Sequence, residues 1–164
     1  MSITGNDLRN IISGFATAEA LMLDAKYEPV SRDAVEKMSG AWLNTIPMEC
    51  VIYEDVGGGK RIRRPLWIPE AGDCDRHAFS FYSHVQTGEW LAAVKTKDGR
   101  GGAAFGTLCY VAEPRTENRF RDGRHCINWL LEPDGTTISF WEPGDSGWTT
   151  LTPSEKESIY FVLV

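Results

Sequence analysis

Arg124-His125-Cys126-Ile127-Asn128-Trp129-Leu130-Leu131-Glu132-Pro133-Asp134-Gly135-Thr136-Thr137-Ile138-Ser139-Phe140-Trp141-Glu142 is the stretch on which the fold turns. Two runs rich in β-branched and aromatic residues, 124–132 and 137–142, flank Pro-Asp-Gly-Thr, and Asp-Gly is among the strongest short signals for a hairpin tip. With the tip at Asp134-Gly135, facing positions sum to 269, so Ile127 faces Glu142 and His125 faces Gly144. Strand alternation then places His125, Ile127 and Trp129 on one face with Phe140 and Glu142. His125 and Glu142 become diagonal neighbours, about 7–8 Å apart between Cα atoms, within reach of a long carboxylate side chain. A one-residue bulge would send Glu142 to the other face, so the pairing depends on the turn.

Working outward, residues 103–112 (AAFGTLCYVA) and 158–164 (SIYFVLV) read as further strands, separated by Gly, Pro and Asp punctuation. Residues 49–56 and 61–68 read as a hairpin around Gly57-Gly58-Gly59. The following Lys60 does not make this a phosphate loop, because Arg61 stands where Ser or Thr is required and the earlier Gly is missing. Residues 74–87 carry Cys74, Ala78, Phe81, Tyr82 and Val85 on one helical face, with Asp73 as N-cap. Toward the N-terminus, Leu8, Ile11, Ile12, Phe15, Ala18 and Met22 recur at helical spacing and predict a helix from about 6 to 25. Ser31 caps a second pattern through Val35, Met38, Trp42, Leu43 and Ile46, which stops before Pro47. The expected architecture is α+β in a single domain spanning 1–164: a helical N-terminal layer over 1–48, and a core over 49–164 whose central helix carries Cys74 and packs on an antiparallel sheet.

A chain of 164 residues, 42% of them hydrophobic and 24% charged, suffices for one buried core. The formal net charge of −6 argues against nucleic acid and against an acidic membrane surface. The basic clusters Lys60–Arg64 and Arg115–Arg124 read as solvated faces or partner contacts. No run reaches membrane-spanning length, and Asp7, Glu19 and Asp24 interrupt the apolar character a signal peptide needs. Four cysteines without a secretion signal read as reduced thiols, which places the protein in the cytoplasm, with Cys50, Cys109 and Cys126 as core or strand residues.

Cys74 stands apart because it opens a helix, where unpaired N–H groups and about half a unit of positive charge favour a thiolate and can hold an oxyanion. A carboxylate on one imidazole nitrogen fixes the tautomer and leaves the other nitrogen to take a proton from a thiol. Cys74, His125 and Glu142 thus have the chemistry of a nucleophile, a base and its orienting acid. Asp73 and Asp75 work against activation, since nearby carboxylates raise a thiol pKa.

The order Glu70-Ala71-Gly72-Asp73-Cys74-Asp75, then Gly123-Arg124-His125-Cys126-Ile127-Asn128, then Phe140-Trp141-Glu142-Pro143 resembles the papain-like cysteine-peptidase domains at the C-terminus of some fungal agglutinins and in many small phage and bacterial proteins. The resemblance spans roughly residues 65–145 and implies a papain-like, transglutaminase-like fold with Cys74, His125 and Glu142 as the triad. Asp73, Asp75, His77 and Asn128 would then flank substrate or oxyanion. The chain departs from that family in Arg76, His77 and Arg124, and its only glutamine, Gln86, lies downstream of the thiol rather than upstream.

Three functions follow as expectations. The first is a cysteine hydrolase or acyl transferase acting on a peptide or other amide bond of a peptide or protein substrate. The second keeps the fold without the chemistry: a protein, phage-encoded on this view, that binds and inhibits a host defence protein. The third is a zinc module built on Cys74-x-x-His77 with help from His125 or Cys126. Adjacent strand residues point apart, so His125 and Cys126 do not both reach one ion, and no cofactor is expected. Calcium enters by family analogy alone, since no oxygen-rich loop is present. Trp129, Trp141 and Trp148, with Trp67 and Trp90, suit core packing over a sugar-binding or apolar groove.

Overall fold

The computed structural model describes residues 2–66, 74–87, 101–114 and 123–164. The hairpin read from the sequence forms as two strands, β8 (Gly123–Leu131) and β9 (Ile138–Glu142), with Asn128 opposite Trp141 and Trp129 opposite Phe140. That register is the one set by a tip at Asp134-Gly135. The turn is locked from within: the Asp134 carboxylate accepts from the backbone N–H groups of Thr136 and Thr137 at 2.9 and 2.8 Å, and Gly135 takes φ 74°.

Strand β7 (Phe105–Ala112) pairs antiparallel with β8 along its whole length. β10 (Gly147–Thr149) extends the sheet beyond β9, and β11 (Phe161–Leu163) extends it beyond β7. The far edge is β2 (Ala20–Leu21), parallel to β11, so the six-stranded order is β10-β9-β8-β7-β11-β2. Two smaller sheets stand beside it. One joins β1 (Ile3–Thr4), β3 (Lys26–Glu28) and β6 (Gly102–Ala103), and the other is the hairpin of β4 (Val51–Asp55) and β5 (Arg61–Pro65). Gly57, Gly58 and Gly59 all have positive φ in the connection between β4 and β5.

Helices pack on both faces of the main sheet. On one, α1 (Gly5–Ser13) buries Leu8 and Ile12 among Leu108, Tyr110, Ile127, Trp129 and Leu131. On the other, α2 (Arg32–Leu43) and α3 (Cys74–Thr87) bury Val35, Trp42, Phe81 and Val85 against Phe105, Leu130 and Trp141. The fold is α+β. The three α-helices whose preceding residue is described each carry a side-chain cap. Thr4 accepts from Asp7 N–H, Ser31 from Ala34 N–H, and Thr152 forms a capping box with Glu155 at the start of α4 (Pro153–Glu157).

Three expectations change. The first helix ends at Ser13 rather than near 25, because residues 20–23 leave the helix to satisfy the backbone of β11 and Val164. Val164 N–H bonds Leu21 O at 3.1 Å and Leu23 N–H bonds Val164 O at 3.2 Å. The two N-terminal helices do not share a layer; they lie on opposite faces of the sheet. Cys109 and Cys126 are not reduced thiols: facing each other in the β7–β8 register with Cα atoms 4.1 Å apart, they form a disulfide buried beneath Ala78.

Candidate active site

Cys74 is the first residue of α3, half-buried, and the helix points its first turn at the end of the hairpin. A cavity of about 160 Å³ gathers Cys74, His77, His125, Glu142 and Gly144, with Ile52, Arg64 and Pro65 of the β4–β5 hairpin as its other wall. The position of α3 is set by a buried polar anchor. Asn128 donates from Nδ2 to Ala78 O at 2.9 Å, to Gly106 O at 3.2 Å and to Thr107 Oγ1 at 3.1 Å. These bonds hold the helix backbone one turn beyond Cys74 against β7 and β8.

His125 lies beyond the last paired residues of β8 and β9, and its Nε2 meets Glu142 Oε2 at 2.5 Å. The second carboxylate oxygen, Oε1, accepts from Gly144 N–H at 3.1 Å, so the turn after β9 fixes the rotamer of the acid. Nδ1 of His125 has no partner at hydrogen-bond geometry among the described residues, yet the Cys74 thiol acts on the ring as a hydrogen-bonding neighbour. The thiol and the ring line one cavity. Burial pushes the imidazolium down, but the Glu142 carboxylate, with the Cys74 thiol, outweighs it and raises the ring's pKa to about 9. Tyr110, opposite His125 in the sheet, packs edge-on against the ring at 5.7 Å.

The other candidate residues separate. His77 reaches the cavity, 7% exposed, with its ring edge-on to Trp42 at 6.2 Å. Asp75 is exposed and lies outside the cavity lining. Asp73 lies outside the described residues, as do Trp67 and Trp90. Asn128 does not line the cavity: an odd number of positions from His125, it points to the opposite face of β8 and serves as the anchor of α3. Gln86 is likewise committed to structure, donating to Ala103 O and Phe105 O and accepting from Ala103 N–H.

Sequence reasoning missed Arg64. Within the cluster read as a solvated face, it is 7% exposed, lines the cavity, and pairs with Glu54 at 2.7 Å and Asp145 at 3.3 Å. It ties the β4–β5 hairpin to the turn that carries Gly144. The available signal was strand alternation, which puts Arg64 opposite the cavity residue Ile52.

Among solved structures, the chain is similar to the one described as the PSL1a-E64 complex. The TM-score is 0.68 at 20% identity, over 99% of this chain and 51% of that one. The likeness is one of fold, and the chain spans about half the length of that relative. No family model and no curated protein matches the sequence.

The disulfide removes Cys126 from any metal site, and among the described residues no group of three or more His, Cys, Asp or Glu side chains is placed to hold an ion. Among them, too, no helix is long and apolar enough to cross a membrane.

Proposed function

We propose that the protein is a papain-like cysteine hydrolase or acyl transferase acting on a peptide or other amide bond. One observation carries this: an imidazole with a carboxylate at 2.5 Å on Nε2 shares one cavity with a helix-opening thiol that acts on the ring. The likeness of fold to the chain described as the PSL1a-E64 complex accords with it.

In this scheme Glu142 accepts the Nε2 hydrogen bond and leaves Nδ1 to take the Cys74 proton. The sulfur attacks the acyl carbon, and the displaced electron pair forms an oxyanion, held by backbone N–H groups at the start of α3. Collapse expels the amine, which takes the proton from His125, and leaves a thioester. Water, or an amine in a transferase, loses its proton to Nδ1 and attacks the thioester, and the returning proton restores the thiol. His77 faces the same cavity and is placed to meet substrate.

Iodoacetamide labelling near neutral pH tests the assignment. Cys74 is expected to react well ahead of Cys50, with the advantage lost in His125→Ala. Equal rates for the two thiols, unaffected by that change, would remove the hydrolase.

A second function has its own observation in favour. Gln86 is held by backbone groups, so no glutamine is free to stabilise an oxyanion. A papain-like fold without turnover would act by binding and inhibiting a host protein, and capture of that partner would survive Cys74→Ala.

A further inference from the structure

The carboxylate that meets His125 is held by a turn, and the turn is held from outside. Residues 143–146 link β9 to β10, and within them Gly144 N–H donates to Glu142 Oε1 at 3.1 Å. A Cβ on Gly144 would stand 3.2 Å from that oxygen and 4.0 Å from His77 Nδ1, so the backbone runs close between the acid and the second imidazole of the cavity. Two residues on, Ser146 has φ 51°, a left-handed conformation that costs a non-glycine residue about 1 kcal/mol or more. Such backbone persists only where its surroundings impose it.

Arg64 is part of those surroundings. Its side chain is 8% exposed, and its guanidinium meets Glu54 of β4 at 2.7 Å through Nη2 and Asp145 of the turn at 3.3 Å through Nη1. A charge so buried is costly unless paired, and a planar guanidinium shared by two carboxylates acts as a rigid fork between the elements that carry them. Asp145 lies 81 positions from Arg64 in sequence, so the contact is a tertiary one. The strand bearing the fork is anchored in turn. Arg63, the preceding residue, donates to Leu43 O at 2.8 Å and to Asn44 Oδ1, at the end of α2. A continuous path of contacts therefore runs from α2 through β5, Asp145 and Gly144 to the carboxylate on His125.

We propose that Arg64 is a positioning residue of this site: through Asp145 and Gly144 it holds the Glu142 carboxylate on His125. Charge and position predict opposite effects when Arg64 is removed. Without the guanidinium, Glu54 and Asp145 lose their cation, and by charge alone His125 would hold its proton more tightly. Release of the turn instead loosens Glu142, and His125 holds its proton less tightly. The titratable groups around the ring are Glu142 from β9, Cys74 and His77 from α3 and Tyr110 from β7, with Arg64 in the wall of the same cavity. A part for Arg64 in turnover rests on the hydrolase reading, whereas the contact it maintains does not, because His125 and Glu142 meet whether or not Cys74 reacts.

NMR titration of the imidazole resonances in the whole chain tests the proposal. The His125 midpoint is expected near 9 in the parent and about one pH unit lower in Arg64→Gln. A midpoint in Arg64→Gln that is unchanged or higher overturns the proposal, as does a parent midpoint at the ordinary histidine value. In Arg64→Gln/Asp145→Asn the midpoint is expected to match that of Arg64→Gln, since both changes break one contact. A return to the parent value would reveal two independent charges that cancel, and overturns the proposal. Should urea unfolding show that Arg64→Gln does not fold, Asp145→Asn decides alone, at a partly exposed position. Its midpoint is expected to stay below the parent's in about 1 M salt, where exposed charges are screened within about 3 Å, and a difference that vanishes there overturns the proposal. A reactive Cys74 together with an unmoved midpoint would remove the role of Arg64 and leave the hydrolase standing.

Discussion

The two nitrogens of His125 have different neighbours, and that difference sets how the residue responds to pH. Glu142 holds Nε2 while Nδ1 has no hydrogen-bond partner among the described residues, and the Glu142 carboxylate, with Cys74, raises the ring's pKa from 6.5 to about 9. A histidine whose folded pKa is raised stabilises the fold fully below its unfolded pKa, and that contribution is lost as pH rises through the folded value. The window here is pH 6.5 to 9, and the raised affinity for the proton corresponds to roughly 3 kcal/mol. Urea unfolding at pH 6 and pH 9.5 is therefore expected to show a loss of that order in the unaltered protein and a much smaller loss in Glu142→Gln, where the carboxylate is gone. If Cys74 is the nucleophile, the same change shifts the alkaline limb of its alkylation profile toward the ordinary histidine range. An unchanged limb in Glu142→Gln would mean that the carboxylate does not act on the reacting pair.

At the scale of elements, the hairpin of β8 and β9 was legible because everything that fixes it is local. Asp134 closes the turn with its own side chain, alternation follows from the register, and the pairing of His125 with Glu142 follows from both. The helix from Cys74 to Thr87 was legible through its apolar face. What could not be read depends on distant partners. The spacing of Phe15, Ala18 and Met22 is helical, but the backbone there answers to β11, which lies some 140 residues on. Residues 113–122 separate β7 from β8 with no two-residue turn signal to set their register, so the meeting of Cys109 with Cys126 was out of reach. Gly106 shows how closely these elements approach. A Cβ there would stand 2.0 Å from Leu163 O and 2.4 Å from Trp129 Nε1, on the line where β7, β8 and β11 meet and where Trp129 donates to Leu163 O at 3.3 Å. Gly106→Ala is expected to cost about 1–3 kcal/mol or more, read as a lower urea midpoint, because backbone and indole must both move. A stability unchanged within about 0.5 kcal/mol would show that β11 is not held against β7 at this spacing.

For the molecule as a whole, the site depends on how firmly α3 is seated on a sheet that is itself closed by a covalent bond. The Cys109–Cys126 disulfide lies under Ala78, whose carbonyl takes the Asn128 hydrogen bond, one helical turn from Cys74. The bond closes a loop across 17 positions of sequence, and constraining an unfolded chain at that length contributes about 3 kcal/mol. Its reduction removes that constraint and replaces one buried sulfur bridge with two thiols beneath the helix that carries Cys74. Thiol titration of the denatured protein without reductant is expected to find two reactive groups, Cys50 and Cys74, and four after reduction. Four groups before reduction would separate Cys109 from Cys126. Cys109→Ala/Cys126→Ala is expected to be less stable than the bridged parent by about 2–4 kcal/mol while retaining the Cys74 alkylation rate at low denaturant. Loss of that rate at unchanged global stability would instead place the bridge in the positioning of α3, because the helix would have shifted on an otherwise folded sheet.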